Sequence, residues 1–298
     1  MGAAALGHVP KYSGLCYNAE SDLEMEAEMA GDRHDMTDAE WAILEPALPT
    51  GRPGPARKDD RRVMDGIFFV LRSGCPWRDL PERYGPHATC CNRWNRWNRW
   101  SKDGTWASIM LKIQELAGPG GGGLAARMLD SSAVRVHKHG AGQRRDGEPP
   151  ETGRSRGGLT TKIHAAVDGA GRPLALRLSP GQAADCTKAP ELLDGLAPGE
   201  TVIADKAYDT DAVLDLVAEA GGIAVIPSKS NRKTPRELDR EAYADRNRIE
   251  RFFGKIKEFR RVATRYEKRA RNYLSAVMLA VTRYLLRNLA GQLIESTA

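Results

Sequence analysis

Apolar residues recur at helical spacing in the first third of the chain and at strand spacing through its middle. Thr37-Asp-Ala-Glu40 has the form of a capping box, and Trp41, Ile43, Leu44 and Leu48 follow it, which predicts a helix opening there. The Pro- and Gly-rich residues 49–58 predict a loop. A second helix is expected over Asp59–Arg72, with Val63, Ile67, Phe68, Val70 and Leu71 inward and Gly74 closing it. A short helix around Asp79–Tyr84, a longer one through the Trp/Arg-rich run 89–100 and another over Thr105–Leu116 complete a small helical unit. Residues 118–123 (Gly-Pro-Gly-Gly-Gly-Gly) read as a flexible linker. No Gly-Lys-Ser/Thr succeeds them, so they form no P-loop.

Beyond residue 124 the pattern shortens to strands. Ala126–Val136 predicts a strand carrying Asp130, and Thr161–Val167 with Pro173–Ser179 a hairpin around Asp168–Gly171. Asp185–Leu193 reads as helical, Glu200–Ala204 as a strand ending at Asp205, Thr210–Ala220 as a helix and Ile223–Pro227 as a strand. A polar loop then leads to one long helix within residues 241–259, whose apolar face is Ile249, Phe252, Phe253, Ile256 and Phe259. This order predicts an α/β fold, a ribonuclease-H-like mixed sheet flanked by helices, with a small helical, helix-turn-helix-like unit before it. The expected boundaries are a disordered extension over 1–34, the helical domain over 35–117, the linker at 118–123, and the sheet domain with C-terminal helices over 124–298.

Composition narrows the classes. No apolar run reaches the length of a membrane span and the N-terminus lacks a secretory pattern, so no membrane partner and a cytoplasmic site are expected. Five irregularly placed cysteines without any C-x-x-C argue against a zinc site or a disulfide framework. The net charge of +6 conceals ten acids and one base within residues 20–45, which leaves the rest strongly basic. Residues 135–162 hold seven bases against three acids, and residues 246–271 eleven against three. Such clusters point to a polyanion, because phosphate contacts dominate nucleic-acid affinity. Arg93, Arg96 and Arg99 are the expected DNA-contacting residues of the Trp/Arg helix, with Trp94, Trp97 and Trp100 turned to the core. Arg154, Arg156 and Lys162, in a Gly-rich basic stretch, are expected to position phosphates. Gly153-Arg-Ser-Arg-Gly157 matches a nucleophile-elbow pattern by letter only, since Glu-Pro-Pro-Glu-Thr and not a buried strand precedes it.

The carboxylates carry the candidate chemistry. Asp130 lies within an apolar strand and Asp205 ends another, positions where a carboxylate is costly unless paired or bound to a cation. At about 100° per residue, Tyr243, Arg246, Glu250 and Lys257 fall within a roughly 60° arc of one helical face. Two strand aspartates and one helix glutamate converging at a sheet edge would suit two Mg²⁺ (or Mn²⁺) ions about 4 Å apart, serving the attacking and leaving oxygens of a phosphodiester. Asp209 and Asp211 could take the place of Asp205, but both stand at a helix start and read as caps; so does Asp185, while Asp168 reads as a turn residue. His137 and His139 alternate across a strand end and should point apart.

Four blocks resemble the insertion-sequence transposases of the IS-five (IS-four-like) DDE family: MLDSSAVRVHKH, GRSRGGLTTKIHAAVD, VIADKAYDTDAV and the Tyr243-x2-Arg246-x3-Glu250-x6-Lys257 signature. They occur in family order over roughly residues 33–290. The resemblance implies a catalytic metal triad of Asp130, Asp205 and Glu250, with Arg246 and Lys257 on phosphates and Tyr243 on the DNA end. It implies cut-and-paste transposition: metal-dependent hydrolysis at transposon ends, then attack of the freed 3′-OH on target DNA. The implied partners are double-stranded DNA, as terminal inverted repeats and as target, and a second copy of the chain in a dimer or larger assembly. A catalytically silent DNA-binding protein and another metal nuclease on the same fold are the rival readings. The chain carries one Asn-Arg-Trp unit more than the family pattern, which would lengthen that helix by about 4.5 Å and turn the downstream chain by roughly −60°.

Overall fold

The structure, a computed structural model, describes residues 34–49, 59–98, 102–116, 125–142 and 151–297. The expected extension (residues 1–33 of it), most of the first loop, Arg99, Trp100 and the Gly-rich linker lie outside them. The described helices before the sheet are α1 (Asp38–Leu44), α2 (Asp60–Ser73), α3 (His87–Trp97) and α4 (Thr105–Leu116). The capping box of α1 is complete: Glu40 N donates to Thr37 Oγ1 at 3.2 Å and Thr37 N to Glu40 Oε2 at 2.7 Å. Gly74 ends α2 in the left-handed region, with φ 77°, where glycine carries no side-chain penalty.

One expectation in this segment needs correction. Residues 79–84 form no helix but two 3₁₀ turns, Trp77–Asp79 and Glu82–Tyr84. Pro81 forces Leu80 into extended backbone, with ψ 126°, and so separates them. The Trp/Arg helix is described over His87–Trp97, and its expected end at residue 100 lies outside the described residues. The Trp97 carbonyl accepts from Trp106 Nε1 at 3.1 Å. Trp94 and Trp97 are buried, and Trp97 packs edge-on against Trp106 with centroids 5.9 Å apart.

Among the described residues seven strands make one mixed sheet: β1 (Ala126–Val136), β2 (Gly153–Ser155), β3 (Gly158–Asp168), β4 (Pro173–Pro180), β5 (Thr201–Ala204), β6 (Ile223–Val225) and β7 (Thr264–Arg265). β1 is central. One edge pairs antiparallel with β3, whose far edge carries β4 and β2; the other pairs parallel with β5 over Ala126–Leu129 and with β7 at Arg135 and Val136. β6 extends the parallel part beyond β5. The helices here are α5 (Ala189–Leu192), α6 (Asp211–Glu219), α7 (Arg240–Ala244), α8 (Asn247–Lys257), α9 (Arg260–Ala263) and α10 (Ala270–Thr297). None is long and apolar enough to cross a membrane among the described residues.

Strand alternation divides two cores. Met128, Ile163, Ala165 and Ile203 belong to the larger, with α8, α10 and the apolar residues of α1–α4; Leu129, Ala166, Val202 and Ala204 belong to the other, with α5 and α6. The helices before the sheet therefore share one continuous core with one of its faces. Arg283 of α10, 3% exposed, pairs at 2.9 Å with Glu40 of α1, also 3% exposed.

Candidate active site

The parallel register pairs Leu129 with Ala204, so Asp130 and Asp205, the next residue of each strand, emerge at one level. β5 ends there, and among the described residues β1 has no strand partner on that edge until Arg135 meets Thr264. The edge beside residues 130–134 is therefore free of strand pairing among the described residues, with α8 packed against β1. Asp205 turns the chain, its Oδ1 accepting from Ala207 N at 2.8 Å to cap the 3₁₀ turn Lys206–Tyr208. Asp130 accepts from its neighbour Ser131 N at 2.7 Å.

The segment expected as one helix over 241–259 is two helices joined at Asp245–Arg246. Around the junction the amides of Asp245, Arg246, Arg248 and Ile249 bond three residues back instead of four. The turn is tightened to 3₁₀ without leaving the helical basin, since Asp245 and Arg246 both keep αR angles. Tyr243 thus lies on α7 and Glu250 and Lys257 on α8, with Arg246 between the helices. Its guanidinium reaches both ways: Nη2 donates to Asp130 Oδ2 at 2.9 Å and Nη1 to Glu250 Oε1 at 2.6 Å. Lys257, seven residues on, directs Nζ at the Ala133 carbonyl, 3.4 Å away, and burial lowers its pKa. Tyr243 is half-buried against the larger core.

The electrostatics is that of clustered carboxylates. Burial pushes the Asp130 carboxyl above its ordinary range; Arg246 pulls it back, and Asp205 and Asp185 add like charge. The donors fit Mg²⁺ or Mn²⁺, because carboxylate oxygens are hard ligands and a cationic group already lies between two of them. As the side chains stand, no three of the described His, Cys, Asp or Glu residues form a ready metal cluster. Arg246 fills the space between Asp130 and Glu250.

Three polar residues near this edge were misjudged or missed from sequence. Asp185, read as a helix cap, instead accepts from Ser131 Oγ at 2.6 Å and Lys162 Nζ at 2.7 Å. Lys162 also donates to Ala183 O at 2.9 Å, so this expected phosphate contact is engaged inside the protein. Asp209, likewise read as a cap, is buried; Thr210 caps α6 in its place. Although burial opposes its charge, the Lys229 amide with Arg236 and Arg232 holds the Asp209 carboxyl at about 2. It fastens the loop between β6 and α7, and with it the approach to Arg246. Tyr208 was overlooked altogether. Its ring is fully buried, its hydroxyl has no hydrogen-bond partner among the described residues, and it lies in the field of Asp185, Asp130 and Asp205. Burial raises its pKa, so it remains an O–H donor. Its position three residues after Asp205 was the available signal.

The expected DNA contacts are scattered. Arg154 and Arg156 are exposed at a tight hairpin and not in a loop, because Gly153–Ser155 pairs with Gly158–Thr160. Arg96 is exposed on α3, whereas Arg93 is paired with Asp60 and stacked 5.7 Å from the Trp97 ring. Arg99 is outside the described residues. His137 and His139 pack edge to face with centroids 4.5 Å apart, because the chain turns after Val136 and strand alternation no longer applies.

Two stretches of the chain match known protein families. The family described as "Transposase DDE domain" matches residues 122–285, more than half of the chain, and that described as "Putative transposase of IS4/5 family" matches residues 36–110. The "Putative transposase for insertion sequence element IS6501" of Brucella ovis is 40% identical over 133 residues, 43% of this chain and 100% of the relative. The "Insertion element IS402 uncharacterized 16.2 kDa protein" of Burkholderia cepacia is 34% identical over 119 residues, 37% of this chain and 78% of the relative. Among solved structures, a piggyBac transposase synaptic complex with hairpin DNA aligns over 94% of this chain and 71% of that chain, at 12% identity and a TM-score of 0.48, a likeness too slight to argue from.

Proposed function

This chain belongs to the insertion-sequence transposases with a DDE domain, and we propose that its DNA cleavage and strand transfer are carried out at Asp130, Asp205 and Glu250. The family activity is DNA transposition, and a catalytically silent DNA-binding role is not favoured. The observation that carries the residue assignment is the bridge from Asp130 through Arg246 to Glu250, beside an aspartate brought to the same level by the β1–β5 register.

On this reading the mixed sheet is of ribonuclease H type, and the three carboxylates hold Mg²⁺ or Mn²⁺. The bound ions supply a Lewis acid for the attacking and leaving oxygens of the phosphodiester. The protein's own groups position the DNA. Lys257, beside the edge of β1 at residues 130–134, meets a backbone phosphate, and Arg246 meets another once free of its carboxylates. Tyr243, half-buried at the end of α7, stacks on or hydrogen-bonds to the DNA end. The buried Tyr208 hydroxyl, in the field of Asp130, Asp185 and Asp205 and without a hydrogen-bond partner among the described residues, stands ready to donate to one of these carboxylates when the site is loaded. Arg154 and Arg156 track the backbone from the hairpin with Lys162, whose ammonium must first leave Asp185. The helices over 35–117 form a helix-turn-helix-like DNA-binding part, in which Arg96 is exposed for contact and Arg93 braces α3. Arg99 joins them in sequence. Water hydrolysis at each transposon end frees a 3′-OH, which displaces a 3′-oxygen in target DNA. One P–O bond forms as another breaks, so no high-energy cofactor is needed. Bringing two ends together calls for a dimer or larger assembly.

With Mg²⁺ or Mn²⁺ and a DNA bearing the element's own inverted repeats, the protein should nick at the repeat ends. Glu250→Gln should abolish nicking while DNA binding persists, and undiminished cleavage by that variant would sink the assignment.

A further inference from the structure

We propose that Arg246 is a built-in counter-ion that occupies the cation position of the carboxylate site and has to be displaced before a divalent ion can bind. The proposal rests on the assignment of Asp130 and Glu250 as metal ligands. The two acids come from β1 and α8 and share this one guanidinium, at 2.9 Å from Asp130 Oδ2 and 2.6 Å from Glu250 Oε1. A divalent ion would need those same oxygens, and guanidinium and ion cannot both stand within bonding distance of them.

Three further features set the arrangement apart from an ordinary ion pair. The Arg246 side chain is only 20% exposed, and its Nε is buried without a hydrogen-bond partner among the described residues, so the pose leaves one donor unsatisfied there. It is held by the two carboxylates and not by a complete set of hydrogen bonds. Next, a half-buried Asp130 beside Glu250, with Asp205 at the same level, is a collection of like charges that needs a cation to remain assembled. The guanidinium supplies that cation within the chain. Finally, Arg246 stands at the 3₁₀ junction between α7 and α8 and not inside either helix, its amide and carbonyl bonding three residues away instead of four.

Arg246 therefore has two alternative partners, the site's own carboxylates or a phosphate, and its planar fork suits either. A phosphate that takes the guanidinium vacates the cation position. Metal and DNA then bind with positive coupling, each raising the affinity for the other by the same factor.

The test is Mn²⁺ binding to the full chain without DNA, read from the electron paramagnetic resonance signal of free Mn²⁺, with far-UV circular dichroism to establish folding. Arg246→Gln should bind Mn²⁺ about tenfold more tightly than the wild type, since the competing charge-assisted bonds are gone. Arg246→Lys, which keeps the charge but loses the fork, should gain as well. Glu250→Gln should bind more weakly than wild type. If Arg246→Gln gains nothing while Glu250→Gln loses affinity, the counter-ion role is overturned and the carboxylate assignment stands. A gain confined to Arg246→Gln would trace the effect to net charge and overturn displacement. Undiminished Mn²⁺ binding by Glu250→Gln would overturn the assignment itself.

Discussion

Replacing Asp65 by asparagine isolates the cost of a buried charge where the first helices join the rest of the molecule. Asp65 is 7% exposed on α2, and its Oδ1 accepts from Met36 N at 2.8 Å. Burial lifts its carboxyl from an ordinary 3.8 to about 7, with Asp35 adding to the rise and the Met36 amide, Arg283 and Arg61 opposing it. Between about pH 4 and pH 7 the native state thus holds a proton that the unfolded chain has released. Stability from this group is fully present below pH 4 and is lost as pH rises through 7. A shift of about 3 units at about 1.36 kcal/mol each makes the total about 4 kcal/mol. Asp65→Asn keeps an acceptor for Met36 N and cannot ionise, while its new N–H₂ group costs roughly 1 kcal/mol at every pH. The informative quantity is therefore how the difference between variant and wild type changes with pH. Urea midpoints at pH 4, 6 and 8 should show the variant equal or slightly weaker at pH 4 and clearly more stable at pH 8. A difference that does not change with pH would refute the reasoning.

Four other outcomes are expected from the same structure. Glu40→Gln should lower unfolding free energy by about 3–5 kcal/mol, because it leaves Arg283 buried without its counter-charge; a loss under about 1 kcal/mol in urea titration would contradict this. Gly66→Ala should cost about 1–3 kcal/mol in the same assay, since its Cβ would lie 3.0 Å from both Tyr84 Cβ and Cys90 Sγ; no cost would mean that α2 and α3 can separate freely. Tyr208→Phe should leave stability within about 1 kcal/mol, having removed a hydroxyl without a hydrogen-bond partner among the described residues, while cleavage of repeat-end DNA falls. Retained cleavage would make Tyr208 a core residue only. Lys257→Ala should weaken binding evenly across DNA sequences and flatten the log–log salt dependence by about one unit in anisotropy titrations; an unchanged slope would remove Lys257 from the phosphate contacts.

The local signals in the sequence were dependable where the deciding interactions span a few residues. The Thr37–Glu40 capping box, the Gly74 stop and the strand over Ala126–Val136 all stand as their neighbours dictate. Local reading failed where a more distant group intervened. The polar side chains were the least legible, because a carboxylate's spacing does not disclose its burial or its donors. Asp185 and Asp209 each suit a helix cap by position, yet their partners are Lys162 and Ser131 in one case and Lys229, Arg232 and Arg236 in the other.

The candidate site divides in the same way. Apolar periodicity around Asp130, Asp205 and Glu250 was sufficient to put the first on a strand, the second at a strand's end and the third on a helix, because hydrophobic alternation and backbone period are local properties. The one-residue offset from Leu129↔Ala204 that levels the aspartates, the 3₁₀ break that frees Arg246 from a helix interior, and the bridge joining Asp130 to Glu250 depend on strand register and packing. The Arg246–Asp130 contact closes a separation of 116 residues. Local propensity cannot encode a pairing at that range; only the shared core that brings α8 against β1 decides it.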